Sequence, residues 1–189
     1  LSVPIDFKLR LGMMNPGNTM TVLDELIEIY KNNKMFKFLH VPIQSGNNEI
    51  LKFMNRKYKA EDFVEVVEAF RKAIPEITIS TDVIVGFPSE TEEQFQDSLR
   101  VIEKTKPDVL NISRYAAREG TIAAKMKQLS TNELKRRSRL MTELYRKITF
   151  DGNRKWLGWK GKILIDEKGK SIRSEASGEL ENQKFSSND

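Results

Sequence analysis

The chain has 189 residues, 39% of them hydrophobic and 31% charged, with no cysteine, one histidine and a formal net charge of +5. Such a composition fits an ordinary globular domain with a small appendage and excludes collagen, a disulfide scaffold and a wholly disordered chain. Without cysteine the chain alone cannot hold a thiolate-ligated zinc, an iron–sulfur cluster, a disulfide or a cysteine nucleophile.

The apolar pattern predicts strand, loop and helix in repeating order. Residues 7–11 alternate in polarity, end at Gly12-Met13-Met14-Asn15-Pro16-Gly17 and lead into a helical pattern through Val22, Leu23, Leu26, Ile27 and Tyr30. Residues 36–43 read as a second strand, Gln44-Ser45-Gly46-Asn47-Asn48 as a polar loop, and Ile50, Leu51 and Met54 as a short helix. A further helix begins near Tyr58, with Phe63, Val66, Val67, Phe70 and Ile74 on one face, and stops at Pro75. Residues 77–85 form the third strand, interrupted by Asp82. The loop Gly86-Phe87-Pro88-Ser89 then leads to a helix for which Ser89 and Glu92 have capping-box spacing. After Pro107, residues 109–115 make a fourth strand and Arg118-Glu119-Gly120-Thr121 a fourth loop. A long amphipathic helix runs from Ser130 or Thr131 through Leu134, Leu140, Leu144 and Ile148, and residues 162–166 read as a further strand. Residues 171–189 have too few apolar positions to pack and are expected to be disordered.

Strands alternating with helices imply an α/β fold with right-handed parallel crossovers, so the polar loops gather at one rim, where α/β proteins bind ligands. Asp82 lies inside an apolar strand and needs either an ion pair or a ligand. Gln44, Ser45 and Gly46 offer donors to a ligand or to their own turn. His40 reads as a packed or hydrogen-bonded residue rather than a base. Gly86 permits close backbone approach or simply a tight turn, and Arg118 can grip an anion or pair with Glu119.

Charge is uneven: residues 1–124 carry 16 Lys and Arg against 18 Asp and Glu, whereas residues 125–170 carry 14 against 5. That basic stretch is either a solvated helix face or an attractor of polyanions such as nucleic acid. No apolar run approaches the roughly 20 residues of a membrane span, and the first residues do not resemble a secretory signal, so a cytoplasmic address without membrane contact is expected.

Taken together, Arg10-Leu11-Gly12-Met13-Met14-Asn15-Pro16, His40-Val41-Pro42-Ile43-Gln44-Ser45-Gly46-Asn47, Thr81-Asp82-Val83-Ile84-Val85-Gly86-Phe87-Pro88-Ser89-Glu90-Thr91 and Arg118-Glu119-Gly120-Thr121 resemble the radical SAM methylthiotransferases, over roughly residues 5–170. The pattern is most similar to the archaeal and eukaryotic branch that modifies threonylcarbamoyladenosine beside the anticodon of tRNA. The resemblance implies a TIM-like partial β/α barrel, S-adenosylmethionine on a four-iron four-sulfur cluster, an auxiliary cluster, and a small β-barrel RNA-binding domain called TRAM. The family's CxxxCxxC motif is absent and the first strand matches the family's third. The chain is therefore expected to be the C-terminal portion of such an enzyme, itself inactive and holding no cluster.

On that expectation residues 1–128 are the later four βα units of the barrel, 129–157 a basic linking helix, 158–170 the start of TRAM and 171–189 a disordered tail. Carried over by position, Gln44, Ser45, Asp82, Gly86 and Phe87 belong to the cofactor pocket. Arg118, Lys135, Arg136, Arg139 and Lys155 face RNA, and no residue is assigned to catalysis or metal. Expected partners are tRNA, the N-terminal part of the same enzyme and, through an exposed sheet edge, a second copy. Other possibilities are a different radical SAM enzyme modifying RNA or the ribosome, or a non-catalytic RNA-binding fragment.

Overall fold

The computed structural model describes residue 5 and residues 7–161; the expected strand at 162–166 and the tail after residue 170 lie outside the described residues. The chain divides into one unit of Leu1–Leu157 and a second of Gly158–Asp189, of which only residues 158–161 are described. The first unit contains, in order, α1 (Pro16–Met20), α2 (Leu23–Lys31), β1 (Phe38–His40), α3 (Asn48–Phe53), α4 (Ala60–Ala73), β2 (Thr78–Val85), α5 (Glu92–Thr105), β3 (Val109–Arg114), α6 (Ile122–Lys125) and α7 (Thr131–Asn153), closed by a 3₁₀ turn at Arg154–Trp156.

The three strands form one parallel sheet in the order β1-β2-β3, with His40 paired to Ser80 and Asp82 to Asn111. Spatial order follows chain order, so right-handed crossovers return on the same face each time. Leu39, Ile79, Val83, Val85 and Leu110 point into the helices, joining Tyr30, Phe63, Phe70, Phe95, Ile102 and Met141 in the core. Each such side chain contributes about 1.5–3 kcal/mol when fully buried. The period of two turns Asp82, Ile84, Asn111 and Ser113 toward a cleft on the other face.

Two predicted strands are shorter than their sequence patterns. Of residues 7–11 only Leu9 pairs, with Met35, through Leu9 N–H to Lys34 O at 2.7 Å and Phe36 N–H to Leu9 O at 2.9 Å. The chain next touches this neighbour at Met14 N–H to His40 O, 3.0 Å. The segment therefore runs parallel to β1, pinned only at its ends, with no second neighbour among the described residues to hold a ladder. The predicted strand at 36–43 stops at His40 because the register slips by one residue: Val41 N–H still donates to Ser80 O at 2.9 Å, but the next backbone bond to β2 comes from Gln44 N–H to Asp82 O at 2.8 Å, so residues 41–43 bulge out around Pro42. Thr81 bridges the gap: its hydroxyl donates to Val41 O at 2.8 Å and accepts from Ile43 N–H at 3.0 Å. Pairing resumes at Gln44, opposite Val83.

Helix ends follow local side-chain chemistry. Asn47 Oδ1 accepts from Glu49 and Ile50 N–H to start α3, and Ser130 Oγ accepts from Glu133 N–H to start α7. The box that opens α5 is Thr91 with Gln94, not Ser89 with Glu92: Ser89 has φ of 66° and its N–H goes to Lys127 O. α1, where only a loop is predicted, starts at Pro16 behind an Asn15 cap. Helix α7 packs on β3, β2 and α5 and extends the cover of the sheet.

Candidate functional site

A cleft of about 900 Å³ opens at the C-terminal ends of the strands. Its floor is Asp82 and Ile84 from β2 and Asn111 and Ser113 from β3; its walls are Gln44 after β1, the turn after α3, Phe87, Arg114 at the end of β3, and Tyr115, Ala116 and Arg118 beyond it. The volume lies in the range of small-molecule sites.

Asp82 organises the floor. Asn111 Nδ2 donates to Asp82 Oδ1 at 2.7 Å, and His40 Nε2 lies 3.1 Å from the same oxygen. The three residues come from three adjacent strands, and the pairing of Asp82 with Asn111 places their side chains on one face. Oδ2 takes no hydrogen bond from the described residues, and a quarter of the side chain is exposed. A fixed carboxylate with one free oxygen in a cleft is built to accept from an ammonium or from ribose hydroxyls. His40 is thus the hydrogen-bonded residue the sequence predicts, beside the cleft rather than lining it.

Gln44 lines the cleft with a backbone held in an unusual conformation. Its φ is 69°, fixed by N–H donation to Asp82 O at 2.8 Å and acceptance from Ile84 N–H at 2.9 Å, while its side-chain amide takes no partner among the described residues. Phe87 forms the opposite wall, edge-to-face with Tyr115 at 5.2 Å. Arg118 stands at the exposed rim; its carbonyl accepts from the Thr121 hydroxyl and N–H, while its guanidinium has no partner among the described residues and does not pair with Glu119.

Two members of the expected pocket lie outside the cleft. Ser45 is fully buried against α5, 3.4 Å from Ser98 Oγ, and accepts from Asn47 N–H. The adjacent Gly46 must be glycine, since a Cβ there would sit 2.6 Å from Ser98 Cα. Gly86 acts behind the wall, with φ of 75°, its N–H donating to Glu90 Oε2 at 2.8 Å, and the space of a Cβ filled by Leu134 Cδ2. Glu90 also receives Arg137 Nη1 at 2.6 Å, in a pair that is 1% and 5% exposed. Burial holds the Glu90 carboxyl above the usual carboxylate range, against the Arg137 and Gly86 hydrogen bonds, and Glu90 Oε1 has no partner among the described residues. The Gly86-Phe87 wall is thereby tied to α7, a connection absent from the sequence motifs.

Of the five cations expected to face RNA, Arg118 stands at the cleft rim, and the other four divide. Lys135 and Arg139 line a shallow groove on the exposed side of α7. Arg136 is engaged by Glu92 and Glu133, and Lys155 lies 3.4 Å from Asp108, which precedes β3 at the end of the sheet away from the cleft. Asn111, Ser113 and Arg114 belong to the site without being predicted. Only an acidic residue within an apolar strand pointed to this row, and its partners depend on strand register.

S-adenosylmethionine fits the cleft: the free Asp82 oxygen and the Gln44 amide can meet its polar groups, and Phe87 and Ile84 can cover its apolar surface. A cluster does not fit this chain. It has no cysteine, and among the described residues no three His, Asp or Glu side chains gather as a metal site.

Comparison with known proteins agrees with this architecture. A protein of Pyrococcus horikoshii named probable threonylcarbamoyladenosine tRNA methylthiotransferase is 52% identical over 165 residues, covering 87% of this chain and 39% of its own length. A protein of the same name from Archaeoglobus fulgidus is 48% identical over 169 residues, covering 89% and 40%. Threonylcarbamoyladenosine tRNA methylthiotransferase of Xenopus laevis is 37% identical over 165 residues, covering 87% and 29%. The chain thus spans about two fifths of the archaeal relatives' length. Coproporphyrinogen III oxidase of Escherichia coli, described as a radical SAM enzyme, shares the fold with a TM-score of 0.60 at 22% identity, over 75% of this chain and 32% of its own. The radical SAM superfamily profile matches residues 5–102, the stretch that carries β1, β2, the Gln44 turn, Asp82 and the Gly86-Phe87 wall. By that match and by a parallel sheet whose strand ends carry the cleft, this chain belongs to the radical SAM superfamily.

Proposed function

We propose that this chain is the cofactor- and substrate-facing part of a radical SAM methylthiotransferase that modifies threonylcarbamoyladenosine in tRNA. The carrying observation is 52% identity over 165 residues to a relative of that name, in a chain whose cleft gathers Asp82, Gln44, Phe87 and Arg118. In this reading the sheet is the later part of a β/α barrel, the rest of a longer protein supplies the cluster cysteines and earlier strands, and residues 158–170 begin TRAM. The segment of residues 9–14 pairs on one side only among the described residues, and at that edge a second copy is the competing occupant to the earlier strands. No helix among the described residues is long and apolar enough to cross a membrane, and a cytoplasmic address fits a substrate of tRNA.

S-adenosylmethionine, when bound, supplies one-electron chemistry at its sulfonium. Within this chain Asp82 and Gln44 hold its polar groups, and His40 and Asn111 keep the Asp82 carboxylate in one orientation. Phe87 and Tyr115 exclude water from one wall, and Arg118 at the rim meets the anionic side of the substrate.

The test is the full-length protein, reconstituted anaerobically with iron and sulfide and given S-adenosylmethionine and tRNA. Deoxyadenosine together with a methylthio mass gain on tRNA supports the proposal. Deoxyadenosine with unchanged tRNA leaves another radical SAM reaction, and neither product from a cluster-loaded protein refutes the enzyme reading.

A further inference from the structure

Helix α7 sorts its cations by face. Arg136 and Arg137 turn toward α5 and the Gly86 loop, bound to Glu92, Glu133 and Glu90. Lys135, Arg139 and Arg146 are exposed, and their spacing of four and seven residues places them along one face. From Lys135 to Arg146 the face is roughly 16 Å long, at about 1.5 Å per residue.

A groove of about 330 Å³ runs along this face, and Arg114, the last residue of β3, completes its lining. Arg114 lines the strand-end cleft as well, so groove and cleft meet at one exposed guanidinium. The groove offers the hydroxyls of Ser138 and Thr142; Thr142 donates to Ser138 O at 2.8 Å and keeps its oxygen free as an acceptor, while the Ser138 hydroxyl has no partner among the described residues. One acid, Glu143, lies on the groove's flank, 3.8 Å from Arg139 Nε, too far for a hydrogen bond. Four cations against one acid give a positive track with one free hydroxyl donor, Ser138, open to solvent at one end of a cleft.

We infer that this groove binds the sugar-phosphate backbone of the RNA whose base enters the cleft, with Arg114 holding the phosphate at the junction. The inference rests on the RNA substrate proposed above. It assigns binding to Arg114, Lys135, Arg139 and Arg146 and withdraws it from Arg136, engaged by Glu92 and Glu133, and from Lys155, which lies beside Asp108 away from the groove. Phosphate contacts position an RNA without reading its sequence, so the track sets which nucleotide lies over Asp82 while the cleft reads the base.

The experiment uses the full-length protein and a fluorescein-labelled anticodon stem-loop RNA, with anisotropy measured across a salt series. The variant carries Lys135→Gln, Arg139→Gln and Arg146→Gln; all three side chains are exposed, and an unchanged melting temperature shows that it folds. Binding is expected to fall at least about tenfold, and the slope of log affinity against log salt to shrink by about two, at about 0.7 per lost contact to a single strand. An Arg136→Gln control is expected to keep the slope of the unmodified protein.

Unchanged affinity and slope in the triple variant overturn the inference; so does an effect matched by Arg136→Gln, or a loss confined to polyglutamate, which would make the groove a site for acidic protein. The two proposals fail separately. If the unmodified protein methylthiolates tRNA while the triple variant keeps its KM, the groove falls and the function stands. If groove-dependent RNA binding is found without methylthiolation, the groove stands and the function falls.

Discussion

Asp82 shows how much one residue reveals and how much it conceals. An acid in an apolar strand must be compensated, so a partner or ligand is legible in the sequence. The partner's identity is not, because Asn111 is an unremarkable polar residue in its own strand and meets Asp82 only through the register of β2 with β3. In the full-length protein, Asp82→Ala is expected to weaken S-adenosylmethionine binding about tenfold or more, from the loss of a hydrogen bond to a charged group worth roughly 1.5–3 kcal/mol. Asp82→Asn keeps an acceptor for Asn111 and His40 while removing the charge, and is expected to bind with intermediate affinity. Isothermal titration decides both; unchanged affinity in a folded Asp82→Ala protein removes this residue from the site. Ser45 marks the reverse case, a polar loop residue whose hydroxyl serves the contact with α5.

At the scale of elements, α7 is legible as an amphipathic helix, and its cap at Ser130 matches one of the two candidates. Its period places Arg137 in line with Leu134 and Met141 and Arg139 on the opposite face, but which carboxylate meets each basic residue is not legible, since Glu90 and Glu92 come from another part of the chain. Arg137→Ala leaves Glu90 buried without its cation and is expected to cost about 3–5 kcal/mol in chemical denaturation. Gly86→Ala is expected to destabilise through both its positive φ and the clash with Leu134, and Leu134→Ala is expected to relieve only the clash, a coupling readable in a double-mutant cycle.

The pH response of this contact is also specified. Hydrogen bonds from Arg136 and Arg137 lower the Glu133 carboxyl from 4.5 to about 2. A depressed acid stabilises the fold above its unfolded value and ceases to do so as pH falls through its folded one. The contribution of Glu133 should be complete above pH 4.5 and disappear toward pH 2. Glu90, raised by burial, has the opposite sign, its contribution present below 4.5 and declining as pH rises through its folded value. Melting temperature against pH should therefore fall less steeply between pH 4.5 and 2 in Glu133→Gln than in the unmodified protein.

For the whole molecule, β2 is the strand laddered on both sides among the described residues, and Ile79, Thr81, Val83 and Val85 along it are buried. Amide exchange in the full-length protein is expected to be slowest in β2. If residues 10–13, between the contacts of Leu9 and Met14, are as slow as β2, the earlier part of the protein completes their ladder.

The sequence by itself determined the alternation of strands and helices, the parallel sheet and the clustering of loops at one rim, because the periods of two and 3.6 and the prolines act within a few residues. Only tertiary structure decided where pairing fails around Pro42, which polar residues meet at Asp82, and which cations of α7 are neutralised. Those outcomes depend on register, on a hydroxyl brought in from Thr81, and on carboxylates more than forty residues away in the chain. The balance of desolvation against pairing that fixes them is struck only after the helices have packed on the sheet.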